Sequence, residues 1–175
     1  MDEGIKMFSL KKDIIMAILI SALILFSLYD PVNSIASCWE DYPWGTAELS
    51  TVQPDWILAS SKGGFTSYVE IQIIDGGQIN TQYVFLKSEL VQIAMTVRSI
   101  FYSDEQLENL LWTPCNKILG PSSLVGNFYN WNRKDLNTWA AAGVKGNLFW
   151  VMALYEPKSN TIFSAIGEGD IQLIY

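Results

Sequence analysis

The sequence predicts an α+β fold, in which a mainly antiparallel sheet of about six strands in two meanders carries two or three helices on one face. An N-terminal hydrophobic helix is predicted to precede it. The prediction comes from three features: an uncharged apolar stretch at residues 14–29, two groups of short alternating segments, and helically spaced apolar residues between them. Because 50% of the residues are hydrophobic, the part after the apolar stretch can bury a core of its own.

The apolar stretch at residues 14–29 predicts export. As a helix it would span about 24 Å, against roughly 30 Å of bilayer hydrocarbon, so it suits a secretory signal or a short membrane anchor. Pro31 ends it, and Ser34 and Ala36 supply the small residues that a signal peptidase needs. Lysines precede the stretch, and no Lys or Arg follows before Lys62, so the rest of the chain should lie outside the membrane.

We therefore expect residues 1–36 to be a signal peptide or an N-terminal anchor, and residues 37–175 to form a single exported domain. Cleavage near Ala36 would leave the domain periplasmic or secreted. A retained helix would anchor it in the inner membrane with the N-terminus cytoplasmic, and membrane contact would be confined to residues 14–29. Either Met1 or Met7 could be the initiating residue.

The two cysteines, Cys38 and Cys115, are predicted to form a disulfide, since both would lie in an oxidising compartment. Closing so long a loop would stabilise the fold by about 4–5 kcal/mol on the loop-entropy estimate. Residues 35–38 also resemble a bacterial lipobox, in which Cys38 would be lipidated. The distance from the apolar stretch counts against this alternative, as does the lone thiol that it would leave at Cys115.

Alternating apolar and polar residues predict a first group of strands joined by glycine turns. Val69, Ile71 and Ile73 share one face of the clearest strand, and the glycines at 76 and 77 favour a hairpin after it. The predicted strands of this group are 55–60, 66–74 and 81–86.

Helical spacing follows the first group of strands. Leu90, Ile93, Ala94 and Val97 are spaced i, i+3, i+4 and i+7, which predicts a helix beginning after Ser88. Ser103 and Gln106 form the pattern of a capping box at the start of a second helix. A third, short helix is predicted from 135 to 142.

The second group of strands is predicted near the end of the chain. Residues 148–155 are apolar on both faces and predict a central strand. Residues 161–166 and 171–175 are predicted to complete the meander. Residues 120–134 are the least regular part and predict a functional loop.

The composition excludes several chemistries. The chain has no histidine, which excludes Ser-His-Asp and Cys-His catalysis and histidine-ligated metals, and no motif indicates a metal site or a cofactor. The net charge of −7 argues against binding to nucleic acid or to anionic lipid. Ordinary solubility is enough to explain a net negative charge, and binding to a basic protein partner is the alternative explanation.

One segment stands out as a candidate site for a ligand or a partner. Most of the seven tryptophans fall where burial in a core is natural. The exception is a run that mixes aromatic rings with amides and a guanidinium, groups that suit a polar ligand or a protein surface. Its members are Phe128, Tyr129, Asn130, Trp131, Asn132 and Arg133.

These features favour a non-enzymatic exported protein that acts through protein contacts, such as an inhibitor, an immunity-type protein or an accessory subunit of an envelope complex or membrane-bound regulator. The alternative is a module that binds a small ligand or a glycan through the aromatic and Asn residues at 128–133. A carboxylate-dependent hydrolase is a remote third alternative, because close pairs of acidic residues occur.

Overall fold

The computed structural model describes residues 43–74, 77–99, 103–106, 115–116 and 119–174. The described strands form one antiparallel sheet: β1 (Ile57–Lys62), β2 (Phe65–Ile74), β3 (Gly77–Leu86), β4 (Glu89–Ser99), β5 (Ser123–Val125), β6 (Phe128–Arg133), β7 (Thr138–Lys145) and β8 (Leu148–Tyr155). The helices described over their full length are α1 (Glu48–Thr51) and α2 (Ser159–Gly167), with single 3₁₀ turns at Lys134–Leu136 and Glu156–Lys158. The described residues 104–106, 115–116 and 119 are also helical.

This architecture confirms the predicted class in its coarse form, a mostly antiparallel sheet with a few helices. The sheet has eight strands rather than six, so each meander has four strands rather than three. The predicted hydrophobic helix at 14–29 lies outside the described residues.

The order of the strands places the two meanders side by side. The order is β1-β2-β3-β4-β8-β7-β6-β5, so each meander folds inward from one edge and the two meet where β4 pairs with β8. This seam runs from the pair Gln92↔Leu154 to the pair Arg98↔Leu148.

Several local predictions are confirmed. The hairpin between β2 and β3 is present, with Ile74 opposite Gly77. The central strand is β8, with the predicted bounds. The capping box is also formed, since Gln106 Oε1 accepts from Ser103 N–H at 2.9 Å and Ser103 Oγ accepts from Gln106 N–H at 3.4 Å.

The predicted helix after Ser88 is wrong, because these residues form β4. Leu90, Val91, Ile93 and Val97 are all buried, since β4 is covered on both faces. A strand buried on both faces has few polar positions, so its apolar residues satisfy helical spacing as well as alternation. Pairing with β3 and β8 therefore decides the structure.

The other errors lie in the second meander. The predicted helix 135–142 is a 3₁₀ turn followed by β7, whose small residues Ala140 and Ala142 pack under larger side chains in the core. The predicted strand 161–166 lies in α2, which buries Ile162 and Ala165 on the sheet. Residues 171–174 run as an irregular segment outside the sheet, so the predicted strand there is also wrong.

The sheet buries apolar residues on both faces. On the first face, Tyr83 and Phe85 pack with Trp44 and Trp56 from the segment around α1. On the second face, Val84 and Leu154 pack against α2. The described helices therefore cover both faces rather than the single face predicted.

Two predictions concern parts of the chain beyond the described residues. Cys115 is buried in the core of the first face, whereas Cys38 is not described, so the disulfide stays a prediction. Within the described ranges, no helix combines the length and the apolar character needed to cross a bilayer.

Candidate binding surface on the second face

The predicted site residues form a strand rather than a loop. Residues 120–134 contain the hairpin of β5 and β6, so side chains along the run point alternately to the two faces. The first-face residues are Tyr129, Trp131 and Arg133, and the second-face residues are Phe128, Asn130 and Asn132. The structure thus divides the predicted site into two sets of three.

The first-face set centres on a buried tryptophan. Trp131 is 2% exposed, and its Nε1–H donates to the Gly120 carbonyl at 2.9 Å and to Asn116 Oδ1 at 3.1 Å. The Tyr129 ring packs beside it, with the ring centroids 6.5 Å apart. A buried indole with its N–H bonded inside the protein is not placed to stack on a ligand.

Arg133 belongs to an ion pair with Asp135. Its Nη2 lies 2.6 Å from Asp135 Oδ2, and its Nε–H donates to Oδ1 at 2.9 Å. These hydrogen bonds raise the pKa of Arg133 and lower the pKa of Asp135. The pair holds the guanidinium beside the turn that follows β6.

The second-face set includes an exposed aromatic ring. Phe128 is 51% exposed and meets the Trp150 ring edge-to-face, with the centroids 5.4 Å apart. Val125 is paired with Phe128 and is 60% exposed. We call Val125, Phe128 and Trp150 the aromatic surface.

Gly143 makes this arrangement possible. A Cβ added at Gly143 would lie 3.0 Å from Trp150 Nε1 and 3.1 Å from Phe128 Cδ1, which is closer than ordinary contact. The missing side chain therefore lets both rings settle on β7. The two rings therefore lie directly on the backbone of β7 and against each other.

A small cavity adjoins the aromatic surface at the seam. Its volume is about 130 Å³, close to the size of a single apolar side chain or ring. Trp150 forms one wall, and the other lining side chains come from the seam and from residues 171–174, which we call the end segment. They include Ala94, Thr96, Met152, Leu173 and Ile174.

Two buried glutamines lie on the same face beside the cavity. Gln82 and Gln92 come from β3 and β4, next to the cavity-lining Ala94, which is paired with Gln82. Gln82 Nε2 donates to the Gln172 carbonyl at 2.7 Å. In the described structure, Gln82 Oε1 and both side-chain polar atoms of Gln92 have no hydrogen-bond partner.

Three of the described carboxylates make contacts within the fold. Glu48 accepts from the Tyr68 hydroxyl at 2.9 Å, and burial together with this bond raises the pKa of Tyr68. Glu168 accepts from Ser164, and Asp170 pairs with Lys62 at 2.7 Å. Across the described ranges, no group of three His, Cys, Asp or Glu residues could hold a metal ion.

The sequence analysis identified Phe128 but missed Gly143, Val125 and Trp150. Trp150 lies in a strand that is apolar on both faces, so the neighbouring sequence does not show that its ring is more exposed than the core residues around it. Gly143 lies on β7, the strand adjacent to both rings, and a glycine within a strand gives no sequence signal of this role. Comparison of the chain with protein-family models, with curated proteins and with solved structures finds no match in any of the three.

Proposed function

We propose that the chain is a non-enzymatic exported protein that binds another protein through the aromatic surface. The observation that carries the proposal is Phe128, a half-exposed ring held in place by Trp150 and Gly143. Exposed aromatic side chains that are already ordered lose little conformational entropy on binding, and such residues dominate protein interfaces.

The geometry around Phe128 supports a protein partner of defined chemistry. The cavity beside Trp150 has room for one apolar side chain, which suits an aliphatic or aromatic anchor from the partner. The net charge of −7 favours a partner whose surrounding surface is basic. An inhibitor, an immunity-type protein or an accessory subunit of an envelope complex would work in this way.

The export part of the proposal comes from the uncharged stretch at 14–29 and from the lysines that precede it. Whether the stretch is cleaved or retained decides between a free binder and an anchored subunit.

A glycan is the second candidate ligand, because Asn130 and Asn132 lie on the same face as Phe128 and Trp150. Amide groups beside an exposed ring are the combination that binds a sugar, through hydrogen bonds and stacking. A glycan would occupy the strip between Phe128 and Asn132.

The test is capture of an identified partner by the full chain, with Phe128→Asp compared with Leu136→Asp. Leu136 is 46% exposed and lies outside the aromatic surface, so it is a matched control for an exposed apolar residue that gains a charge. We expect Phe128→Asp to abolish a stoichiometric complex and Leu136→Asp to keep it, with thermal unfolding showing that both variants are folded.

Capture that survives both Phe128→Asp and the milder Phe128→Ala would overturn the proposal. Loss of oligosaccharide binding in Phe128→Asp, without any protein complex of the parent chain, would instead support the glycan.

A further inference from the structure

We propose that the second face beneath the end segment is a binding site for an extended peptide, and that the end segment is an intramolecular occupant which a partner's peptide replaces. This inference rests on the proposed function, since it adds that the partner supplies an extended apolar segment. Apart from Trp150, which forms one wall of the cavity, its argument depends on different residues from those of the aromatic surface.

The end segment is firmly attached only where it begins. Ile171 is buried, and its N–H donates to the Ala165 carbonyl at 3.2 Å, while the preceding Asp170 pairs with Lys62. Beyond Ile171, the hydrogen bond described for the segment is the one from Gln82 to the Gln172 carbonyl. Residues after Ile171 can therefore move away from the second face without disturbing α2.

The contacts that hold the end segment are those of a peptide-binding site. A side-chain amide of the sheet binds a main-chain carbonyl, and Leu173 and Ile174 help to enclose the cavity beside Trp150. Neither contact depends on the covalent connection to the chain. An extended segment from another molecule with a similar sequence would therefore make the same contacts.

Polar atoms on the second face remain without partners while the end segment is in place. Gln92 is 0% exposed, yet its Oε1 and Nε2 both lack a hydrogen-bond partner in the described structure, and so does Gln82 Oε1. Burying polar atoms without partners is costly, and these three atoms can still form hydrogen bonds with a ligand. A partner peptide whose backbone N–H and C=O groups reach these atoms would gain hydrogen bonds that the end segment does not make.

The chemistry around the site sets the class of peptide. Gln82, Gln92, Ala94 and Thr96 are uncharged, and the cavity of about 130 Å³ accepts a side chain of the size of Leu or Ile. The peptide is therefore extended and uncharged where it crosses the seam, with one aliphatic side chain entering the cavity. A charged side chain at that position would be excluded by the cost of burial.

The probe is a labelled synthetic peptide with the sequence of residues 170–175, and binding to the full chain is measured by fluorescence anisotropy. Leu173→Asp in the chain places a charge against the cavity and should release the end segment. We expect the peptide to bind Leu173→Asp at least about tenfold more tightly than the parent chain, because the intramolecular competitor has gone. A peptide with the same Leu→Asp change should bind neither chain.

Two further variants sharpen the result. Asn160→Glu changes an exposed side chain of α2, outside the end segment, and should bind the peptide as the parent does. Adding Gln82→Leu to Leu173→Asp removes the donor to the main-chain carbonyl of the bound peptide and should weaken peptide binding about five- to tenfold. If Leu173→Asp fails to fold, Leu173→Ala takes its place, with a tightening of about threefold expected.

Absence of peptide binding to the released chain would overturn the inference, and so would equal binding to the released and parent chains. Neither outcome involves Phe128 or a natural partner. The peptide test and the capture test can therefore fail independently, and each failure identifies which of the two proposals is wrong.

Discussion

Replacing Trp131 by Phe tests whether this side chain belongs to the core or to a binding site. The change removes the indole N–H, which donates to the Gly120 carbonyl and to Asn116 Oδ1. Each lost hydrogen bond costs about 0.5–1.5 kcal/mol. The smaller ring also leaves a void in a position that is 2% exposed. We expect the free energy of unfolding to fall by about 2–3 kcal/mol.

The assay is denaturant unfolding of the full chain, with heat unfolding as a second readout. A loss of this size lowers the melting temperature by roughly 5–10 °C in a chain of this length. Trp131→Ala removes the whole ring and should cost about 3–5 kcal/mol. Asn132→Ala is the matched control, because Asn132 is the exposed neighbour on the opposite face, and we expect a change within about 0.5 kcal/mol.

A loss below about 0.5 kcal/mol for Trp131→Phe would refute the reasoning, since that is the range of ordinary surface substitutions. Such a small loss would make Trp131 a candidate ligand-binding side chain again.

Three further predictions follow from other contacts. Asp104→Ala should lower the free energy of unfolding by about 1–2 kcal/mol in denaturant titration, because the carboxylate accepts from the backbone N–H groups of Gly146 and Asn147; an unchanged midpoint would contradict this. Arg133→Gln should move the lowered pKa of Asp135 back towards its ordinary value in an NMR titration. The stability that this ion pair supplies is present above the unfolded-state pKa of Asp135 and is lost as the pH falls through the lowered folded-state value; a pKa unaffected by the substitution would show that Arg133 is not the cause. Mass spectrometry of the unreduced protein should show Cys38 linked to Cys115, whereas two thiols or a lipidated Cys38 would exclude the disulfide.

The sequence predicted the strands whose local pattern and tertiary environment agree. In β2, Phe65, Ser67 and Val69 are buried between more exposed neighbours, although Ile71 and Ile73 are exposed. β8 is apolar throughout because it lies inside the sheet. β4 and β7 were missed for one physical reason. Their local composition also suits a helix, and pairing between distant parts of the chain overrides that preference. α2 was missed because its buried side is small. Ile162 and Ala165 favour a helix mainly because they then pack together on the sheet.

The candidate site could be predicted only in part. An aromatic and amide run at 128–133 is visible in the sequence, but which side chains are exposed depends on strand register. One residue of shift would exchange Phe128 with Tyr129 and bury the wrong ring. Gly143 and Trp150 come to Phe128 only through the pairing of β6, β7 and β8. The contact of Gln82 with the end segment and the unpartnered polar atoms of Gln82 and Gln92 depend on tertiary packing, which no local pattern indicates.

The seam between β4 and β8 has a consequence for how the chain folds. Its partners, such as Gln92 and Leu154, are separated by most of the second half of the chain. Each meander can form early from neighbouring hairpins, but the sheet closes only when its last strand arrives. Until then β4 exposes an open, strongly apolar edge. A chain that emerges N-terminus first would therefore present this unpaired edge throughout the time taken to produce the second meander.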